Sequence, residues 1–407
     1  MKLYIGIDWS QNKHDVCFLN PSGVVQLHFV IEHTQTGFWK LEHRRQQMGV
    51  ELEDCLIGLE TSHSILIDFL WDRGYSNIYV LPPTLVKGSR TRFRSSAARD
   101  DPGDAHLIAD ILRTDQGRLR AWKPDSGLTR QLRTKVKFIH FLTINIVRMT
   151  NRQRAVLHRY YPAAIELFSS LNTLISQHFI LEFPTPQSAM GLDLPTFRSF
   201  AKKHGYTQTY KLAGILAKLD RSYAQADHEI IEACQHEAQG LAKLLLEMIQ
   251  LKRTNLKELQ GLLDQHPDRD IYASLPGTGV YLQAALIAKL GDDRKRFSSA
   301  DRVQALAGTS PITVSSGKRK QIRFRHSCDH EFRHVVQQWA KLSLRSSVWA
   351  NAYYSQVRPQ SSSESHAFRC LGNRWLAVLW RLWQDRVPYD EVQHLHQRAL
   401  RSQPKTV

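Results

Sequence analysis

Residues 2–9, KLYIGIDW, decide how this chain folds. Leu3, Ile5 and Ile7 alternate with other residues at the period of a strand that has one buried face. Gly6 leaves room for another element to approach, and Asp8 ends the run. A carboxylate at the end of an apolar strand needs something positive to meet it. HDVCFLN (14–20) continues as a second strand, and the Asn20-Pro21-Ser22-Gly23 turn leads into VVQLHFVI (24–31) as a third. A helical stretch GFWKLEHRRQQ follows, then strand CLIGLE (55–60), helix SILIDFLWDRG and strand NIYVLPP. Three meandering strands followed by strand–helix units predict a mixed sheet flanked by helices, an α/β layer fold.

Beyond about Leu128 the pattern turns helical, so the fold class is α/β plus α. LTRQLRTKVKFIHFLTINIVRMTNRQRAVLHRYY reads as one long helix laced with Arg and Lys. Pro184, Pro186 and Pro195 punctuate the middle. A second long helix is predicted over roughly 209–265, with Leu245, Ile249, Leu256, Leu259 and Leu263 at three- and four-residue spacing. Lys252 interrupts that stripe, so it fits a short coiled coil or an antiparallel hairpin packed on itself. The expected domains are 1–127, 128–270 and 271–407. The last opens with LPGTGVYLQAALIAKLGD and closes with the Trp-rich helix WLAVLWRLW, whose Trp375, Trp380 and Trp383 have core spacing.

A chain of 407 residues with 42% apolar content can bury a sizeable core, and its net charge of +17 points to a polyanionic partner. No apolar run approaches the length of a spanning helix, and the N-terminus lacks a signal-peptide layout, so no membrane role is expected. Cys17, Cys55, Cys234, Cys328 and Cys370 are scattered and odd in number. That argues against a disulfide framework and for a reducing compartment.

Several residues could carry chemistry. Asp8 and Glu60 both end apolar strands, each just behind a glycine. Asp101-Pro102-Gly103-Asp104 puts two more carboxylates on one turn at the start of a helix. Alone, that fragment is an ordinary N-cap followed by proline. Together, four acids would repel unless divalent cations lay between them, and an all-oxygen set favours Mg²⁺ or Mn²⁺. Two such ions could clamp the attacking and leaving oxygens of a phosphodiester. In AGTSPITVSSGKRKQIRFRHS, Ser315-Ser316-Gly317 precedes Lys318, Arg319, Lys320, Arg323 and Arg325. A serine nucleophile needs such cations to neutralise the phosphate it attacks, although a solvated basic loop has the same composition. Gly277 and Gly279 in LPGTG could offer backbone N–H groups to a phosphate, or form a turn between packed helices. His330-Glu331-Phe332-Arg333-His334 matches the zinc-protease pattern HExxH, but without a third ligand it reads as chance.

Asp8 in YIGIDWS, Glu60 in IGLE and Asp101-x-x-Asp104-Ala105 resemble the DEDD tetrad of insertion-sequence recombinases of the one-ten family. LPGTGVYLQAALIAKLGD, RFSSADRVQALAGTSP and the SSGK segment are similar to that family's C-terminal transposase domain. The resemblance implies a RuvC-like, ribonuclease-H-type fold at the N-terminus, a coiled-coil middle and a Mg²⁺-bound tetrad. It also implies a serine of the last domain that attacks DNA and forms a covalent phosphoserine link, with Ser316, or Ser315 beside it, in that place. Implied partners are donor and target DNA, a structured bridge RNA and further copies of the chain, as a dimer or tetramer. The implied location is a prokaryotic cytoplasm, at the nucleoid. Cys328-Asp329 and Arg99-Asp100 depart from the residues usual in the family at those places. The rival readings are a junction-resolving nuclease that activates water with the same acids, and a silent nucleic-acid-binding protein.

Overall fold

The computed structural model describes residues 1–61, 64–92, 101–219, 226–316 and 319–402, and contacts divide the chain into two units, Met1–Pro124 and Asp125–Val407. In the first unit β1 (Leu3–Trp9), β2 (Lys13–Leu19), β3 (Val25–Glu32), β4 (Cys55–Leu59) and β5 (Ile78–Val80) form one mixed sheet in the order β3-β2-β1-β4-β5. β1, β2 and β3 pair antiparallel; β4 and β5 run parallel to β1. The alternation of β1 sorts its side chains between two layers. Leu3, Ile5 and Ile7 join Ile57, Leu59, Phe38, Leu41, Leu66 and Leu70 on the face covered by α1 (Gln35–Gln47) and α2 (Ile65–Asp72). Tyr4, Leu56 and Cys17 face the other way, against α3 (Pro83–Ser89) and α4 (Asp101–Asp115).

Glycine makes the second face possible. A Cβ on Gly6 would lie 2.0 Å from the backbone oxygen of Ala105 and 2.5 Å from the amide nitrogen of Ala109. A Cβ on Gly58, the partner of Gly6 in the β1–β4 register, would meet Ile108 and Leu112 at 2.8–2.9 Å. The backbone of α4 therefore lies directly on β1, a contact open only to a residue without a side chain. α4 begins at Asp101 itself, so this aspartate is part of the helix rather than the residue preceding it.

In the second unit α5 (Gly127–Tyr160) pairs with the helix His228–Asp264. The Lys135–Asn255 and Arg152–Glu237 contacts show that the two run antiparallel within the chain. Leu132, Val136 and Ile139 meet Leu259 and Leu263, and Ile146 meets Leu245 and Ile249, along the seam. Lys252 occupies the single polar step of the four–three stripe, half-buried. The second helix starts at His228, not near 209. Leu212 and Ile215 are instead buried in a helical knob built on Phe168, Phe179, Phe197 and Phe200, in a separate five-residue helix Leu212–Leu216 that follows a 3₁₀ turn. At the opposite end a second core gathers Trp339, Trp349, Trp375 and Trp383 with the helix Val280–Leu290, so the C-terminal tryptophans are core residues. No described helix is long and apolar enough to cross a membrane.

The glycine contact predicts unequal costs. Gly6→Ala should destabilise the first unit by about 2 kcal/mol or more, because helix backbone has to move. Gly58→Ala should cost clearly less, since the atoms it meets are side-chain ends that can turn. Urea unfolding of the two variants, compared with the parent chain, measures the difference.

Candidate functional site

The β1–β4 register pairs Ile7 with Leu59, so Asp8 and Glu60, the next residue on each strand, stand side by side at the carboxyl ends of neighbouring parallel strands. Strands in that relation are about 4.8 Å apart. Asp8 follows the alternation of Tyr4 and Gly6 and so lies on the face covered by α4. Ala105 is pressed on Gly6, so Asp104, one residue before it, is delivered to the same end of the sheet. Strand carboxyl ends under a covering helix are where open α/β sheets hold ligands.

Electrostatics tie these groups together. Burial raises the Glu60 carboxyl above the ordinary glutamate range; the Asp104 charge adds to the rise, while Arg90 opposes it. Asp104 is held by a two-point ion pair: Arg90 Nε donates to Oδ1 at 3.1 Å and Nη2 to Oδ2 at 2.7 Å. Arg90 opens the 3₁₀ turn Arg90–Arg92 that follows α3. As placed, no three His, Cys, Asp or Glu side chains among the described residues converge closely enough to share a metal ion. The Asp101 side chain, the fourth acid, lies outside the described residues. The described acids are nonetheless all-oxygen donors, with Glu60 and Asp104 close enough to feel each other's charge, which fits a hard divalent cation.

One acid escaped sequence reading. Asp15 lies directly opposite Asp8 in the β1–β2 register and is 5% exposed, with His28 Nε2 3.8 Å from its carboxylate. The signal was present in HDVCFL: Asp15 shares an alternating strand face with Cys17 and Leu19, where an apolar residue is the rule.

In the second unit the serine segment is a two-stranded hairpin, β6 (Ile312–Ser316) and β7 (Arg319–Arg323), rather than an irregular loop. The alternation of Ile312 and Val314 ahead of the serine pair is the overlooked strand signal. The register sets Ser315 opposite Lys320 and Ser316 opposite Arg319. Ser315, Arg319, Lys320 and Arg323 are exposed; Gly317, Lys318 and the Ser316 side chain lie outside the described residues. At the hairpin base, Arg325 Nε donates to the Ser310 carbonyl. Phe324 sits against two guanidinium groups, Arg333 at 4.4 Å and Arg369 at 4.6 Å.

The remaining motifs are packing features. Gly277 adopts φ +77°, and a Cβ there would lie 2.5 Å from the Ser343 amide nitrogen, so the turn sits on the helix His330–Ser343. Gly279 precedes the helix Val280–Leu290, and a Cβ there would meet nothing within 4 Å. In the HExxH stretch, Glu331 pairs with Lys289 and His334 Nε2 meets Gln338.

Two family models match the chain. One, a DEDD model for IS110 described as a transposase, covers residues 5–162; the other, described as the transposase IS116/IS110/IS902 family, covers 269–355. The chain is similar to the mini-circle putative transposase for IS117 of Streptomyces coelicolor, 29% identical over 96% of each chain. It is also similar to the 43.6 kDa protein of insertion element IS110 from that species, 23% identical over 95% of each. The 42 kDa protein of insertion element IS900 from Mycobacterium paratuberculosis is 25% identical, over 80% of this chain and 81% of that protein.

The Glu60 environment gives a pH-dependent prediction. A carboxyl raised by folding binds its proton more tightly in the folded state, so stability falls as pH rises through and above the ordinary glutamate range. Glu60→Gln should therefore melt higher than the parent chain at pH 7 without divalent cations, and the gap should close as pH falls below that range. Melting curves at several pH values in EDTA read this directly.

Proposed function

The chain belongs to the IS110 family of transposases, and from that premise we propose that it breaks and rejoins DNA through a cation-binding acid tetrad and a serine nucleophile. The observation that carries the reading is that Asp8 and Glu60 follow paired positions of neighbouring parallel strands while Glu60 feels the charge of Asp104, three acids from three separate segments at one end of the sheet. Asp101, one turn before Asp104 on the same helix, completes the set in this reading. The strand order β3-β2-β1-β4-β5, with acids at the ends of β1 and β4, supports taking the first unit as RuvC-like.

In the proposed mechanism the carboxylate oxygens of Asp8, Glu60, Asp101 and Asp104 would hold Mg²⁺ or Mn²⁺. Such a cation, when bound, supplies Lewis-acid stabilisation of charge on the phosphate. The Ser316 Oγ bonds to phosphorus while the bond from phosphorus to one sugar oxygen breaks, and the serine hydroxyl proton passes by way of solvent to the departing sugar oxygen, which leaves as a hydroxyl. The strand end is then held as a phosphoserine ester, and attack by another strand's hydroxyl reverses the step, so bond energy is conserved between cutting and rejoining. Arg319 across from Ser316, with Lys318, Lys320, Arg323 and Arg325, would neutralise the phosphate charge. Ser315 opposite Lys320 is the alternative nucleophile.

The net charge of +17 supports contact with donor and target DNA and with a structured bridge RNA that selects them. We take the paired long helices as the family's coiled-coil region and as a contact between copies in a dimer or tetramer. Phe138, Phe141, Ile144 and Val147, exposed on the outer surface of α5, favour that role.

Ser316→Ala should abolish a covalent protein–DNA adduct and lower strand exchange by at least about 10³-fold, as loss of a nucleophile does. Asp8→Ala and Glu60→Ala should have the same effect on exchange while nucleic-acid binding persists. Denaturing gels of protein with labelled element ends read the adduct. Cutting that continues undiminished in Ser316→Ala and Ser315→Ala would show hydrolysis by water instead.

A further inference from the structure

The Arg90–Asp104 pair lies at the edge of the proposed acid site and is not needed to build it. β1, β4 and α4 place the acids through the sheet register and the Gly6 contact. Arg90 comes from a different segment, the 3₁₀ turn after α3, and reaches in from the side. Its side chain is 31% exposed and that of Asp104 21%, so the pair lies at the mouth of the site, open to exchange. Both guanidinium contacts fall on Asp104, one to each oxygen, which is the planar fork that a carboxylate otherwise offers to a metal ion. Arg90 also acts on Glu60, where its charge opposes the repulsion from Asp104. One cationic side chain thus compensates two acids of the proposed tetrad.

We propose that Arg90 is the resident counter-cation of this pocket: it occupies Asp104 in the cation-free protein, and a divalent cation binds by displacing it. The proposal rests on the acids being cation ligands, as argued above. A guanidinium in contact with Asp104 and a divalent ion on the same carboxylate repel each other at short range, where screening is weakest. Binding therefore carries the work of breaking the ion pair, and the affinity for the cation is lower than the acids alone would give. The device keeps close carboxylates compatible with a folded unit before the cation arrives. The competing role for Arg90 is a brace that orients Asp104 for the metal, and the two roles predict opposite changes in affinity.

Mn²⁺ titration of the full-length chain, followed by the loss of the free-ion electron paramagnetic resonance signal, separates them. The parent chain, Arg90→Gln, Arg90→Lys and Asp104→Asn are compared at one pH and ionic strength, with melting curves confirming that each is folded. Arg90→Gln should bind Mn²⁺ more tightly than the parent chain by about 5–10-fold, the size of a modest coupling between two sites. Arg90→Lys, which keeps the charge but loses the fork, should fall between the two, and provides the comparison if Arg90→Gln does not fold. Unchanged or weaker binding in the Arg90 variants, with Asp104→Asn still removing the site, would overturn the proposal and make Arg90 a brace. A parent chain with no Mn²⁺ site sensitive to Asp104→Asn would instead remove the acid-tetrad reading itself, and this proposal with it.

Discussion

The contact between the backbone of α4 and Gly6 of β1 is the constraint on which the first unit depends. A helix normally rides about 10 Å above a sheet on a layer of interlocking side chains. Here Gly6 removes that layer where Ala105 and Ala109 bring helix backbone onto β1, while its register partner Gly58 leaves room for the Ile108 and Leu112 side chains. The approach sinks the start of α4 toward the strand ends, which is what carries Asp104 to the neighbourhood of Glu60. Packing and chemistry are therefore one arrangement: widening the gap would both loosen the core and draw the acids apart.

That arrangement works against stability at the site itself. Glu60 lies against Asp104 in a partly desolvated position, and Asp15 lies buried opposite Asp8. Nothing in core packing asks for acids there, since the same strand faces are otherwise filled by Tyr4, Cys17 and Leu56. Positions at which a local rule is broken and the surrounding structure absorbs the cost are where function concentrates. Like charges held close together, with Arg90 as partial compensation, support the proposed cation-binding role.

Much of this was legible in the chain. The period-two runs of β1 to β4 and the long apolar stripe of the second unit come straight from side-chain periodicity, which secondary structure obeys wherever one face is buried. Asp8 and Glu60 stood out because each ends such a run. Arg90 did not: a basic residue in a basic stretch carries no mark of the carboxylate it meets fourteen residues later, and only the fold supplies that partner. Asp15 broke the alternation of its own strand, but the acid it faces was not legible, because only the pairing of β1 with β2 sets Asp8 opposite it. The serine hairpin was overlooked because its strands are short and mostly polar, so the charge of KRKQIRFR outweighed the weak alternation of Ile312, Val314 and Ile322. The start of the second long helix was misplaced because Leu212 and Ile215 match its spacing yet belong to the helical knob.

The antiparallel pairing of the long helices has a metrical consequence. A four–three apolar stripe repeats every seven residues, so by itself it tolerates a slip of one helix along the other. Lys252 breaks the repeat, and the Gln153 side chain donates to the Ala238 carbonyl on the facing helix, a bond that a slip would leave unmade. The pair therefore acts as a ruler with one graduation. At 1.5 Å per residue, α5 measures about 50 Å, on the order of fifteen base pairs of duplex laid alongside it. The knob at one end and the tryptophan core at the other are held at a separation that neither can adjust alone.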